Sequence, residues 1–116
     1  MATTRYSREP TPTCDVRSSR CGTTRTVAVV GELDLAGVRA LDRAVNDALD
    51  KRPETVVIDL SATAFIDSAG MGSLVRGHRR AVARDVRLVI IPAPARVHRI
   101  FELCGLDDVL PFVSAR

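Results

Sequence analysis

Val38, Leu41, Val45, Ala48 and Leu49 recur at helical spacing, with Arg39, Asp42, Arg43, Asn46 and Asp50 between them. That division of faces predicts an amphipathic helix over roughly 35–51. Asp34 stands where an N-cap belongs, and Pro53 closes the connection that follows. Thr26 to Val30 (TVAVV) reads as a strand by its β-branched content, ending at Gly31. Thr55 to Leu60 (TVVIDL) and Val86 to Ile91 are near-continuous apolar runs, as expected of strands covered on both faces. Ser61–Asp67 reads as a loop. Beyond it Met71, Leu74, Val75, His78 and Val82 line one face of a second helix. Val97, Ile100, Phe101 and Cys104 form a short third helix, with Gly105 as its C′ residue and Cys104 as a small core residue. Cys14 to Ser18 is expected as a short edge strand turning through Arg20–Gly22, and Val109 to Val113 as a last strand interrupted by Pro111.

Strands alternating with helices imply an α/β fold with one small mixed, mostly parallel sheet and three main helices. No internal repeat is apparent. Residues 1–13 (MATTRYSREPTPT) are polar and aperiodic, and are expected to be a disordered tail. Residues 14–116 then form one domain.

Composition narrows the chemistry. Aromatics are 3% of the 116 residues, so the core is built from Val, Leu, Ile and Ala. No apolar run approaches the ~20 residues a membrane span needs, and no secretory signal pattern follows Met1, which points to the cytoplasm and away from a membrane. Cys14, Cys21 and Cys104 have neither a CxxC spacing nor a matching His pair, so no metal site is expected. The net charge of +3 lies in residues 1–26, which hold five Arg against Glu9 and Asp15; the remainder is balanced. No aromatics interleave with those arginines, which argues against direct nucleic-acid binding. His78 and His98, the only histidines, fall in helical patterns away from any nucleophile motif. Catalytic residues are therefore expected to be none.

The most informative stretch is Phe65-Ile66-Asp67-Ser68-Ala69-Gly70-Met71-Gly72. Here a Ser is expected at the N-cap of a helix with two Gly in its first turn. Gly in a helix costs up to ~1 kcal/mol relative to Ala, so two in one turn want a reason. They let another surface approach the backbone, and the free N–H groups favour an anionic group. Taken alone, the plainer reading leads: Ser68 and Asp67 as cap and turn residues, with glycines fitted to a neighbouring strand. A nucleotide phosphate loop is excluded, because the Walker pattern and its Lys are absent.

Three landmarks in order shift that balance. Gly31-Glu32-Leu33-Asp34, Val56-Val57-Ile58-Asp59-Leu60 and the Phe65–Gly72 stretch resemble those of STAS-domain anti-sigma factor antagonists. Pro94-Ala95-Arg96-Val97 with Phe101 and Cys104-Gly105-Leu106 is similar to the family's third helix and its following Gly-Leu. The resemblance covers roughly residues 26–113 and implies a STAS fold. It also implies that Ser68 is phosphorylated by an anti-sigma factor Ser kinase, and that the unphosphorylated chain binds this kinase and displaces a sigma factor. A PP2C-type phosphatase would reset the site. The implied partner surface comprises Asp34, Asp67, Ser68, Ala69, Gly70, Met71 and Gly72. The chain itself would need no cofactor, since the partner kinase supplies ATP.

Two departures stand out. Many members carry a second hydroxyl after the phosphosite, where this chain has Ala69. The family usually ends with a further helix, which is expected to be absent or truncated here. The alternative function is a STAS interaction or scaffold subunit, stressosome-like or associated with lipid transport, without a phosphoswitch.

Overall fold

A computed structural model describes residues 14–113. The proposed tail at 1–13 and the last three residues lie outside that range. The elements are β1 (Cys14–Cys21), β2 (Thr24–Leu33), α1 (Leu35–Asp50), β3 (Thr55–Ile66), α2 (Ser68–Ala83), β4 (Arg87–Ile91) and α3 (Ala95–Leu103). They build one sheet in the order β1-β2-β3-β4, with β1 antiparallel to β2 and the rest parallel. This is the mixed, mostly parallel sheet with three helices that the sequence predicts. Gly22, at φ 61, opens the two-residue β1–β2 connection, the place a type II′ hairpin turn reserves for Gly.

Val27 and Val29, Val56, Ile58 and Leu60, and Leu88 and Ile90 form the buried row of the sheet. Val38, Leu41, Val45, Ala48 and Leu49 of α1 pack into the same core, as their spacing requires. The other face of β2–β4 is half-buried at Ala28, Val57, Val89 and Ile91. All three helices close on a turn, and α3 does so as expected. Gly105 is left-handed at φ 74, and Leu106 and Gly105 donate to Phe101 and Glu102. At the ends of α1 and α2 the left-handed residue is Arg52 or Asp85 instead.

Four expectations are corrected. β3 does not stop at Leu60; it runs to Ile66. Two register shifts against β2 insert extra residues, so the buried positions become Leu60, Thr63 and Ile66. A spacing of three conceals a strand whose signature is two. On α2 the buried residues are Gly70, Met71, Ser73, Leu74, Gly77 and Ala81, while Val82 is 65% exposed. The helix packs through its small residues, which apolar spacing does not count. Cys104 is exposed at the C-cap of α3 and takes no part in the core. The expected last strand reduces to a bridge between Phe112 and Ile90, with Pro111 and Val113 each exchanging one hydrogen bond with Ile90.

Helices α1 and α2 lie side by side with a polar ladder between them. Asp42 accepts from Ser73 Oγ (2.6 Å) and Arg76 (3.0 Å), Asn46 from Arg80 (2.7 Å), and Asp50 from Arg84 (2.5 Å). Of the four arginines on α2 and its C-cap, Arg76, Arg80 and Arg84 thereby bind within the domain. That occupancy disfavours a nucleic-acid face built on this helix.

Candidate partner-docking and modification site

Strands β2 and β3 end level with each other, at the pair Leu33–Ile66. The next residue in each case is an Asp, and each caps a helix. Asp34 Oδ1 accepts from the Gly37 N–H at 3.2 Å, and Asp67 Oδ1 from the Gly70 N–H at 2.9 Å. The two caps share an extended backbone (φ −109 and −107). Asp67 N–H also reaches Leu33 O at 3.4 Å, tying the second junction to the first. The local sequences match as well: Leu33-Asp34-Leu35-Ala36-Gly37-Val38 against Ile66-Asp67-Ser68-Ala69-Gly70-Met71. A six-residue strand–cap–helix device therefore occurs twice, below the length at which an internal repeat shows in the sequence.

The N-cap of α2 is Asp67, so the expectation that Ser68 caps the helix is corrected. An Asp carboxylate satisfies the orphan N–H groups as well as a Ser hydroxyl does, and one residue can do it. Ser68 is the first helical residue, exposed and released from a structural duty. Neighbouring hydroxyls are occupied. Thr63 is buried and donates to Val29 O at 2.9 Å; Ser73 is buried and donates to Asp42.

The two glycines of the motif are not equivalent. A Cβ on Gly70 would meet Leu33 O at 2.8 Å, Leu33 Cγ at 3.0 Å and Ile66 Cγ2 at 3.1 Å. Gly70 therefore lets α2 sit on the end of β2. Gly72 is half-buried and, among the described residues, faces only the Arg76 guanidinium at 3.3 Å, so they give it no close-packing role. Met71 is core, at 8% exposure, and Ala69 is half-buried.

Of the seven residues singled out, Asp34, Asp67, Ser68, Ala69 and Gly72 have accessible surface on or next to this edge; Gly70 and Met71 lie beneath it. Two exposed apolar side chains join them, Leu35 (70% exposed) and Phe65 (49%). Leu35 lies one turn before the start of the α1 stripe at Val38, and Phe65 sits in the segment expected as loop. Glu32, exposed and paired with Phe65 across β2–β3, adds a third acid to Asp34 and Asp67. None of the three forms an ion pair among the described residues. Burial first, then the charges of Asp34 and Asp15, push the Cys14 thiol up from its ordinary value. The edge is thus apolar, acidic and uncompensated, with a free hydroxyl at Ser68.

The family model described as "Mlab, STAS domain" matches residues 16–112. The chain belongs to the STAS-domain family. This STAS domain is 30% identical over 88 residues to the anti-sigma-F factor antagonist RsfB of Mycobacterium tuberculosis, covering 76% of this chain and 71% of the relative. It is 29% identical over 84 residues to the anti-sigma-B factor antagonist of Staphylococcus aureus, covering 72% and 78%. Among solved structures, an anti-sigma factor antagonist from Mycobacterium paratuberculosis superposes with a TM-score of 0.78 at 25% identity, covering 88% of this chain and 86% of that one. No helix among the described residues is long and apolar enough to cross a membrane.

Proposed function

We propose that this STAS domain is an anti-sigma factor antagonist. It binds an anti-sigma factor Ser kinase through the edge formed by Asp34, Leu35, Phe65, Asp67 and Ser68, and so releases a sigma factor. Phosphorylation of Ser68 switches it off, and a PP2C-type phosphatase restores it. The chain acts by binding and carries out no chemistry of its own. The observation that carries this reading is the state of Ser68: an exposed hydroxyl relieved of capping by Asp67, between buried and engaged Thr63 and Ser73. The names of the relatives support the same partner class.

The switch follows from charge. A phosphate adds about −1.5 to −2 at neutral pH. At the N-terminus of α2 the helix dipole tolerates that charge, so the domain stays folded. A partner surface fitted to a neutral hydroxyl must instead bury it beside Asp67, and an uncompensated buried charge costs about 3–5 kcal/mol. Ordinary rim contacts do not offset that.

Incubation with the cognate kinase and ATP, followed by peptide mass spectrometry, tests the reading. Phosphate is expected on Ser68; modification of Thr63 or Ser73 with Ser68 untouched would sink it. The second reading, a STAS interaction subunit without a switch, is equally compatible with the matched model, whose description names the domain and no modification. It requires a Ser68 that no kinase modifies and a partner whose binding ignores charge at that position.

A further inference from the structure

The opposite end of the sheet carries a cationic cluster that the switch does not use. Where α1 enters, its packing on β1 is tight: a Cβ on Gly37 would lie 2.7 Å from Cys14 Sγ. Towards its last turn the facing β1 positions change from Cys14 and Val16 to Ser18 and Arg20, and the apolar contact lapses. The result is a hollow of about 300 Å³ between the β1–β2 hairpin and the end of α1. A second hollow of about 170 Å³ adjoins it and shares Arg20, Arg25 and Lys51, with Arg52 on its own wall.

Arg20 and Arg25 stand directly opposite each other across the antiparallel β1–β2 pair. Like charges in that relation destabilise a sheet. Elsewhere Arg17, Arg76, Arg80 and Arg84 are seated on acceptors, at Asp15, Asp42, Asn46 and Asp50. Among the described residues Arg20, Arg25, Lys51 and Arg52 form no ion pair. Arg52 also holds a left-handed backbone, φ 53, where a helix end usually places Gly. One carboxylate, Asp47, lines the larger hollow. Against it stand four cations and the hydroxyl of Ser18, while the Thr23 hydroxyl at the smaller hollow is taken by Glu54 at 3.2 Å. The negative end of the α1 dipole opposes an anion here, and Lys51 and Arg52, placed on that end, offset it.

We propose that this pair of hollows binds a small, multiply charged phosphate compound, at a site separate from the Ser68 edge. The cations line a concavity at the small end of the ~300–1,000 Å³ range of ligand pockets. They do not form the extended stripe that tracks a nucleic-acid backbone. A ligand of this kind supplies a counter-charge that the Arg20–Arg25 pair does not find among the described residues.

Calorimetric titration of the full chain with inorganic tripolyphosphate, at constant ionic strength set by NaCl, tests this. One saturable site is expected. The double variant Arg20→Gln/Arg25→Gln should bind at least ~10-fold more weakly, as expected for lost charge-assisted hydrogen bonds, while Arg79→Gln, exposed and outside the cluster, should bind as the parent does. Thermal melts supply an independent arm. Arg20→Gln should raise the melting temperature of the free chain by relieving the like-charge pair, and should reduce the further rise that tripolyphosphate gives. Non-saturating heats, equal affinity of parent and double variant, or tighter binding of a short DNA duplex than of tripolyphosphate would each overturn the proposal.

Discussion

The junctions at Asp34 and Asp67 are the same device with one functional difference. Both end a parallel strand, cap a helix with Asp and place Gly three residues on. At the first helical position one has Leu35 and the other Ser68, and both side chains are exposed. The capping geometry is therefore scaffold, and the residue after the cap is free to meet a partner. A second difference lies beneath. Gly37 faces the side chain of Cys14, whereas Gly70 faces the backbone carbonyl of Leu33. The first obstacle is a side chain and the second is main chain.

Charge at the position after the cap should break the symmetry most. Ser68→Asp should weaken binding to the cognate kinase by about 3 kcal/mol, because the carboxylate must be desolvated beside Asp67. Ser68→Ala should bind like the parent and resist inactivation. Neither variant removes the cap, so both should melt within about 0.5 kcal/mol of the parent, the range of surface substitutions. Calorimetric titration alongside thermal melts measures both quantities. Equal affinity of the two variants would remove the electrostatic basis of the switch.

The glycines come next. Gly70→Ala should destabilise by about 1–3 kcal/mol, since overpacking against a carbonyl has no cheap relief. Gly37→Ala should cost less: Cys14 is a half-buried side chain on an edge strand and can shift. Denaturant midpoints of the two variants give the difference directly. A larger loss at Gly37 would mean that β1, not the end of β2, sets the helix position.

Much of this was legible in the residues. The α1 stripe, the sheet strands and the Gly105 turn follow from period and turn chemistry alone. What escaped has physical causes. The second half of β3 hides behind two register shifts that move its buried positions to every third residue. The α2 interface hides because Gly70, Ser73, Gly77 and Ala81 bury little apolar surface each. The cap was misassigned because Asp67 and Ser68 are adjacent and both cap well; only geometry separates them. Leu35 was not singled out, because a helical stripe carries no sign of where its neighbouring element stops.

The caps themselves should be equal. Asp67→Ala and Asp34→Ala each lose one hydrogen bond to a helix N–H, a cost of about 0.5–2 kcal/mol. Asp67→Asn keeps the cap and removes the charge. It should melt like the parent and soften the binding penalty of Ser68→Asp, which separates scaffold from electrostatics at a single residue. A double-mutant cycle on kinase affinity reads the coupling; no coupling between Asp67→Asn and Ser68→Asp would assign the penalty to desolvation alone.

Gly72 has no counterpart in the comparison, since the first junction carries Arg39 at the matching place. It lies two residues past the buried glycine, and among the described residues the Arg76 guanidinium alone comes within 4 Å of its missing Cβ. If its glycine serves only the domain, Ala is a gain: helix propensity alone favours Gly72→Ala by up to ~1 kcal/mol, and the Arg76 side chain can swing clear. Thermal melts should show that rise. If the glycine instead serves a partner, the same methyl group obstructs the docking surface, and kinase affinity should fall while stability increases. Opposite movement of the two measurements is the expected result. An affinity unchanged by Gly72→Ala would confine the docking edge to the residues around Ser68 and leave the second glycine of the motif without a role in binding.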